Sequence, residues 1–361
     1  MTSLSPTQQR TSTFDRLADL PLVIGSYTLT GLSRRWSAEF VRRTTEVVLY
    51  GAGEFGFGED VSYAPEDHEV FQANGPVLPL AGRYTLRSFS ERLDELTLFP
   101  RAPKRADARP HRRWAFESAA LDLALRQAGL SLGAALDREP EPVSFVVSMR
   151  LPEPPTAEPV LRRLELYPDL RFKLDVSDSW NDALVRELAA TKAITSVDFK
   201  AYYEGLSLAT ASGAELYRLV AEGLPGVWLE DPALTTETRR VLEPHTGRIT
   251  WDAPIGSVEE LAALTVRPQY VNVKPSRFGT LRSLLDAYDY LAGEGIRAYG
   301  GGQFELGPGR GQIQYLASLF HPDAPNDVAP LGYHGVTAGL PASPLTPTPA
   351  SVGFRWHETS D

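Results

Sequence analysis

The chain contains no cysteine. Disulfides, thiolate metal sites and cysteine nucleophiles are therefore excluded, and any bound metal must rest on oxygen or nitrogen donors. Long apolar runs are missing too. None approaches the ~18 residues of a membrane helix, and the opening MTSLSPTQQR (1–10) lacks the apolar core of a secretion signal. A cytoplasmic protein without a membrane partner is expected. Positive charge is also in short supply: Lys and Arg number 36 against 46 Asp and Glu, for a formal net charge of −10. That argues against nucleic acid as a partner, because phosphate binding wants clustered cations. A small anionic substrate is not excluded, since it senses only the field of its own site.

What is present is a globular composition of 361 residues, 42% hydrophobic and 23% charged, enough for more than one structural unit. The first third predicts a mixed α+β unit. Residues 21–29 and 44–49 are strand-like, and the Gly-rich GAGEFGFGEDVSY (51–63) reads as a turn and a hairpin strand, with turn chemistry accounting for its glycines. Residues 113–128 carry Phe116, Ala120, Leu121 and Leu125 at helical spacing and stop at Gly129, a core helix with a glycine end. From about residue 144 a repeat begins. Its β-type runs are SFVVSM (144–149), RFKLDV (171–176), ITSVDFKAY (194–202), GVWLED (226–231), RITWDA (248–253), YVNVK (270–274), IRAYGG (296–301) and NDVAPL (326–331). Amphipathic helical stretches separate most of them, at a spacing of about 22–32 residues, the size of one βα unit. Eight such units, with no Gly-rich dinucleotide fingerprint after the first, predict an α/β fold: a (β/α)8 TIM-type barrel. The expected organisation is a flexible start at 1–20, the α+β unit over 21–140, the barrel over 141–335, and a Pro-rich segment over 336–361, loosely ordered from Pro341 onward.

A barrel of this kind carries its active site at the C-terminal strand ends, and residues alternate inward and outward along each strand. Lys173 and Asp175 then share a face on the second strand, and Asp198, Lys200 and Tyr202 on the third. Trp228 pairs with Glu230 on the fourth, Thr250 with Asp252 on the fifth, and Asn272 with Lys274 on the sixth. One acid at a strand end could merely cap a helix or pair with a lysine. Asp198, Glu230 and Asp252, in register on successive strands and flanked by inward lysines, instead form a set of hard oxygen donors that suits Mg2+, with Mn2+ as substitute. Lys274 stands one strand beyond this set and Lys173 one strand before it. A lysine beside a dication has its ammonium form disfavoured and can serve as a base.

These residues, in this order, resemble the enolase superfamily, and within it the muconate-lactonizing-type subgroup. GEFGFGEDVSY and AFESAALDLALRQAGLSLGAAL look like that family's α+β N-terminal capping domain, and FKLDV, VDFKAYY, WLEDP, WDAPIGS, VNVKPSRFG and GGQFELGPGRG like its successive strand ends. The resemblance implies Asp198, Glu230 and Asp252 as metal ligands, Lys274 as the sixth-strand base and Glu305 as the acid after the seventh strand. It implies abstraction of a proton next to a carboxylate, a metal-stabilised enolate, and isomerisation or elimination of a small carboxylate-bearing substrate, often in a symmetric homo-oligomer. Two departures stand out. The subgroup's Lys-x-Lys reads Lys173-Leu174-Asp175, and its Asp-x-Asn reads Asp198-Phe199-Lys200. Either Lys200 takes over as base or substrate clamp beside Lys173, or it pairs structurally with Asp175. Both readings speak against a mirror-symmetric two-lysine racemase.

Asp175, Asn272, Gln303, Glu305 and Arg277 are the candidate substrate contacts, with Tyr299 and Arg310 beside them; either arginine could equally anchor a loop to a carboxylate. Tyr333 and His334 follow the eighth strand, His334 as a solvated loop residue or a general acid. Glu54 and Asp60 are candidates to close over the substrate. A non-catalytic barrel that keeps metal and ligand but has lost turnover is the competing reading. A metal hydrolase would want histidine ligands at strand ends, where the six histidines do not fall.

Overall fold

A computed structural model describes residues 12–35, 40–202 and 213–356. Strand β1 (Pro21–Ile24) leads into β2 (Ser26–Arg35), so the first expected run is two strands broken at Gly25. β2 pairs antiparallel with β3 (Val41–Gly51), and β3 with β4 (Glu54–Asp60) through the two-residue turn Ala52–Gly53. Both turn residues have positive φ, 51° and 83°, the backbone twist that favours a tight hairpin. The strand glycines beyond the turn serve packing instead. A Cβ at Gly58 would lie 1.9 Å from the Ala115 carbonyl oxygen, and one at Gly56 2.3 Å from that of Ala119. Their lack of side chains lets the helix Ala108–Ala128 lie directly on β4. That helix closes at Gly129 in the left-handed conformation, with the Leu130 N–H returning to the Leu125 carbonyl at 2.9 Å. β5 (Gly82–Thr85) pairs with β1 and completes the capping domain.

The barrel begins with β6 (Val147–Arg150), β7 (Phe172–Asp175), β8 (Ile194–Asp198), β9 (Trp228–Glu230) and β10 (Ile249–Thr250), a five-stranded parallel sheet in sequence order. β11 (Tyr270–Val273) and β12 (Arg297–Gly300) form a second parallel pair. Single bridges close the ring: Trp251 to Val271, Gly301 to Asp327, and Asn326 back to Phe145. The barrel with its capping domain is therefore as expected, except that residues 326–331 form no strand. The Asn326 side chain reinforces this closure. Its amide donates to the carbonyls of Ser144 (2.9 Å), His321 (3.0 Å) and Ala324 (2.9 Å), and its oxygen accepts from the Gly300 N–H at 2.6 Å.

The expectation of a loose tail is corrected over its described part, to residue 356. Leu345 bridges Val143 and Gly353 bridges Ser131. Phe354 and Trp356 are buried, and Arg355 pairs with Asp122 on the long capping helix at 2.8 Å. Two bulky apolar side chains drive this return, and the prolines before them set its extended path. No helix among the described residues is long and apolar enough to cross a membrane.

Candidate active site

Register brings the acids together. Asp175 lies beside Asp198, Asp198 beside Glu230, and Glu230 beside Thr250 on adjacent strands. Asp252 follows two residues beyond Thr250, on the same face. Asp198, Glu230 and Asp252 are fully buried, and each offers a carboxylate oxygen within 4.8 Å of the other two. This donor set, all oxygen and formally trianionic, fits a hard divalent cation such as Mg2+.

Cations from the chain face the same acids. Lys173 Nζ contacts Glu230 and lies 3.4 Å from Asp198, with Asp327 at 3.9 Å. Lys274 Nζ donates to Asp252 Oδ2 at 2.8 Å, and Arg277 donates to Asp252 Oδ1 at 2.8 Å and to its carbonyl. Burial works to raise the Asp252 pKa, yet Arg277 and Lys274 hold it well below the carboxylate range. Burial and the neighbouring acids Asp198, Asp252 and Asp231 push Glu230 up against the pull of Lys173. Relief of that repulsion is what a dication would supply. Lys274 is lowered from the ordinary lysine value by burial and by the nearby cations Arg277, Lys173 and Lys200, against Asp252.

Lys200 does not continue the third strand. The chain turns after Asp198, and Lys200 takes φ +55°, its N–H donating to Asp198 Oδ1 at 2.9 Å. Its Nζ contacts Asp198 Oδ2 and lies 3.3 Å from Asp175 Oδ1. Of the two expected arrangements, the ion pair with Asp175 is present. Tyr202 leaves the shared face, half-exposed, with its ring 5.8 Å from that of Trp251.

Asn272, Gln303 and Glu305 are buried. Neither amide atom of Asn272 has a hydrogen-bond partner, nor does Glu305 Oε2. A Cβ on Gly301 would lie 2.5 Å from Asn272 Oδ1 and 2.8 Å from Lys274 Cε, so the glycine leaves room for both. Tyr299 braces Glu230: its hydroxyl contacts Glu230 Oε2 and lies 3.0 Å from Thr250 Oγ1. Arg310 lies 3.7 Å from Glu305. Glu54 and Asp60 sit elsewhere, on Arg126 and Arg112 at 2.8 Å each. Tyr333 is buried and donates to the Pro341 carbonyl, while the side chain of His334 lies outside the described residues.

Three contributors were missed in the sequence. Asp231 accepts from the N–H groups of Asp252 (2.9 Å) and Ala253 (2.8 Å), fixing the fifth strand end. Its place in WLEDP was the available signal. From the capping hairpin, Arg42 donates to the carbonyls of Gln303 (2.8 Å) and Phe304 (3.3 Å). Glu59 accepts from the N–H groups of Leu306 (2.6 Å), Gly307 (3.0 Å) and Gly309 (3.0 Å). Together they hold the seventh loop, where Phe304 takes φ +57°. No periodicity marks a residue that acts across two domains.

Two family models match the chain: the C-terminal domain of DUF8230, a domain of unknown function, over residues 139–335, and its N-terminal domain over 15–135. No curated protein matches in sequence. Solved structures do match in fold. A dipeptide epimerase from Enterococcus faecalis V583 aligns with a TM-score of 0.68 at 16% identity, over 92% of this chain and 99% of that one. A muconate cycloisomerase from Pseudomonas fluorescens aligns at 0.64 and 18% identity, over 92% and 94%. An enolase-superfamily member from Listeria innocua Clip11262 aligns at 0.64 and 17% identity, over 85% and 86%. The fold is thus that of the enolase superfamily.

Proposed function

The chain belongs to the DUF8230 family, and we propose that it is a Mg2+-dependent enzyme that removes a proton next to a substrate carboxylate and isomerises or eliminates from the resulting enolate. The observation that carries this reading is the buried triad of Asp198, Glu230 and Asp252, its carboxylate oxygens within 4.8 Å, with Lys274 Nζ 2.8 Å from its edge. Bound there, Mg2+ or Mn2+ would hold the substrate carboxylate and stabilise the negative charge left by proton loss. Lys274 is the base, or the acid on return of the proton. Its burial and its cationic neighbours favour the neutral amine that such a role needs. Lys173 and Tyr299 orient Glu230, while Arg277 and Asp231 orient Asp252. Asn272, Gln303 and Glu305 contact the substrate on the Lys274 side.

The opposite face carries the Asp175–Lys200 pair in place of a second-strand base. That asymmetry favours chemistry served by one lysine, a cycloisomerisation or an elimination, over racemisation. It is also the observation that favours a binding protein without turnover. Incubation with Mg2+ in deuterated water and a panel of dipeptides, N-acyl amino acids and acid sugars separates the two. Exchange of the proton next to the carboxylate, lost in Lys274→Ala, is the expected outcome. Tight binding with no exchange from any compound would establish the binding protein instead.

A further inference from the structure

Three buried histidines of this chain can be compared. His68 has a partner on each ring nitrogen, Thr45 and the Ser62 carbonyl, both at 2.8 Å. His321 likewise has Asn326 at 2.7 Å and Tyr288 at 3.0 Å. His111, 1% exposed, has none on either nitrogen. A buried imidazole is ordinarily satisfied, because it carries at least one donor, and its neutral form an acceptor as well. The fold satisfies the two structural histidines and leaves this one open.

Its place gives the second observation. His111 lies in the first turn of the helix Ala108–Ala128, and its ring is 6.2 Å from that of Tyr63, edge to face. The Tyr63 hydroxyl donates to Gln303 Oε1 at 2.6 Å, in the loop after β12. Arg277, three residues past Lys274, acts electrostatically on both His111 and Tyr63, and Lys200 and Glu305 act on Tyr63. The turn after Lys274 also presses on this helix: a Cβ at Gly279 would lie 3.2 Å from Pro110 Cα. His111 and Tyr63 thus stand on the capping side of the seam, against the loops that follow β11 and β12.

We propose that His111 and Tyr63 form a recognition subsite for a neutral hydrogen-bonding group of the substrate, an amide or a hydroxyl, held against Gln303 while the carboxylate occupies the metal site. The inference rests on the proposed function for its carboxylate-bearing ligand. The charged groups facing His111 are Asp107, Arg277, Asp60 and Arg42. Burial and the two arginines outweigh the two acids and press its pKa down to about 4, so the ring is a neutral donor and acceptor rather than a counter-ion. Asp107 and Asp60 are themselves paired with Arg105 and Arg112 at 2.8 Å. A cationic group would meet Arg277 and Arg42, and an anionic one would meet Asp107 and Asp60, so a neutral group fits best.

The test uses the full chain with Mg2+ and two probes of one carbon skeleton, N-acetyl-L-leucine and 4-methylpentanoate. The ring signals of His111 are followed by 15N NMR and assigned with His111→Phe. N-acetyl-L-leucine is expected to shift them and 4-methylpentanoate to leave them in place. His111→Phe should weaken N-acetyl-L-leucine about tenfold, one hydrogen bond to a desolvated partner, while Mg2+ affinity and 4-methylpentanoate binding stay within about twofold. His111→Gln, which keeps a donor and an acceptor, should restore part of the loss. Tyr63→Phe gives a second route should His111→Phe not fold, and should weaken the same probe selectively. Mg2+-dependent binding of both probes without movement of the His111 signals overturns the subsite and leaves the proposed function intact. Failure of both to bind with Mg2+ present also overturns the subsite, while the function reading stands or falls on the deuterium-exchange panel.

Discussion

A buried carboxylate needs either a cation or a row of N–H groups, and single residues of this chain use both solutions. Glu59 takes the second, with three backbone N–H groups of the seventh loop. Burial and the nearby Glu305 still push its pKa from 4.5 to about 7. A folded-state pKa above the unfolded one means that the protonated form favours the fold. The stabilisation is full below the unfolded value and is lost as pH rises through 7. A shift of this size corresponds to about 3 kcal/mol. Urea unfolding between pH 4.5 and pH 8 should show the wild type losing about that much stability relative to Glu59→Gln; parallel pH profiles would contradict the assignment. At this scale the acids of the candidate metal site were readable, because strand alternation puts Asp198, Glu230 and Asp252 on one face. Lys200 and Tyr202 were misplaced because the alternation ends at Asp198, where the backbone turns. His111 gave no signal, since it lies ahead of the helical stretch read over 113–128, and only its missing partners set it apart.

Elements whose residues alternate cleanly were found close to their expected places, β7, β11 and β12 among them. The eighth strand was not, because an apolar run such as NDVAPL carries no information on whether its backbone pairs. Asn326 replaces a ladder with one side chain bonded to four backbone groups. Asn326→Ala would strand several of them in the barrel wall, each worth about 1 kcal/mol or more when left unpaired. A loss of about 3 kcal/mol is expected in denaturant unfolding, and a loss below about 1 kcal/mol would show the bridges sufficient. The glycines of β4 were equally opaque. Gly56 and Gly58 look like turn residues in sequence, yet their function appears only once the long helix lies on top of them.

For the molecule as a whole, a capping unit followed by a barrel was legible in the chain, but the segments that join them were not. The tail, read as loose, seats Phe354 and Trp356 near Tyr315 of the barrel helix Pro308–Phe320 and ties Arg355 to Asp122 of the capping helix. Phe354→Ala should cost about 3–5 kcal/mol by the usual price of an aromatic core truncation. Fluorescence and far-UV dichroism should report the loss in one shared transition; separate transitions for the two domains would show that the tail does not couple them. The seventh loop carries this shared ownership further. Residues 303–309 are encoded with the barrel, but Arg42 and Glu59 hold them by five backbone hydrogen bonds from the cap. Grafting a relative's cap onto this barrel at the natural junction would therefore release the loop that carries Gln303 and Glu305, and a working chimera has to import the loop together with the cap.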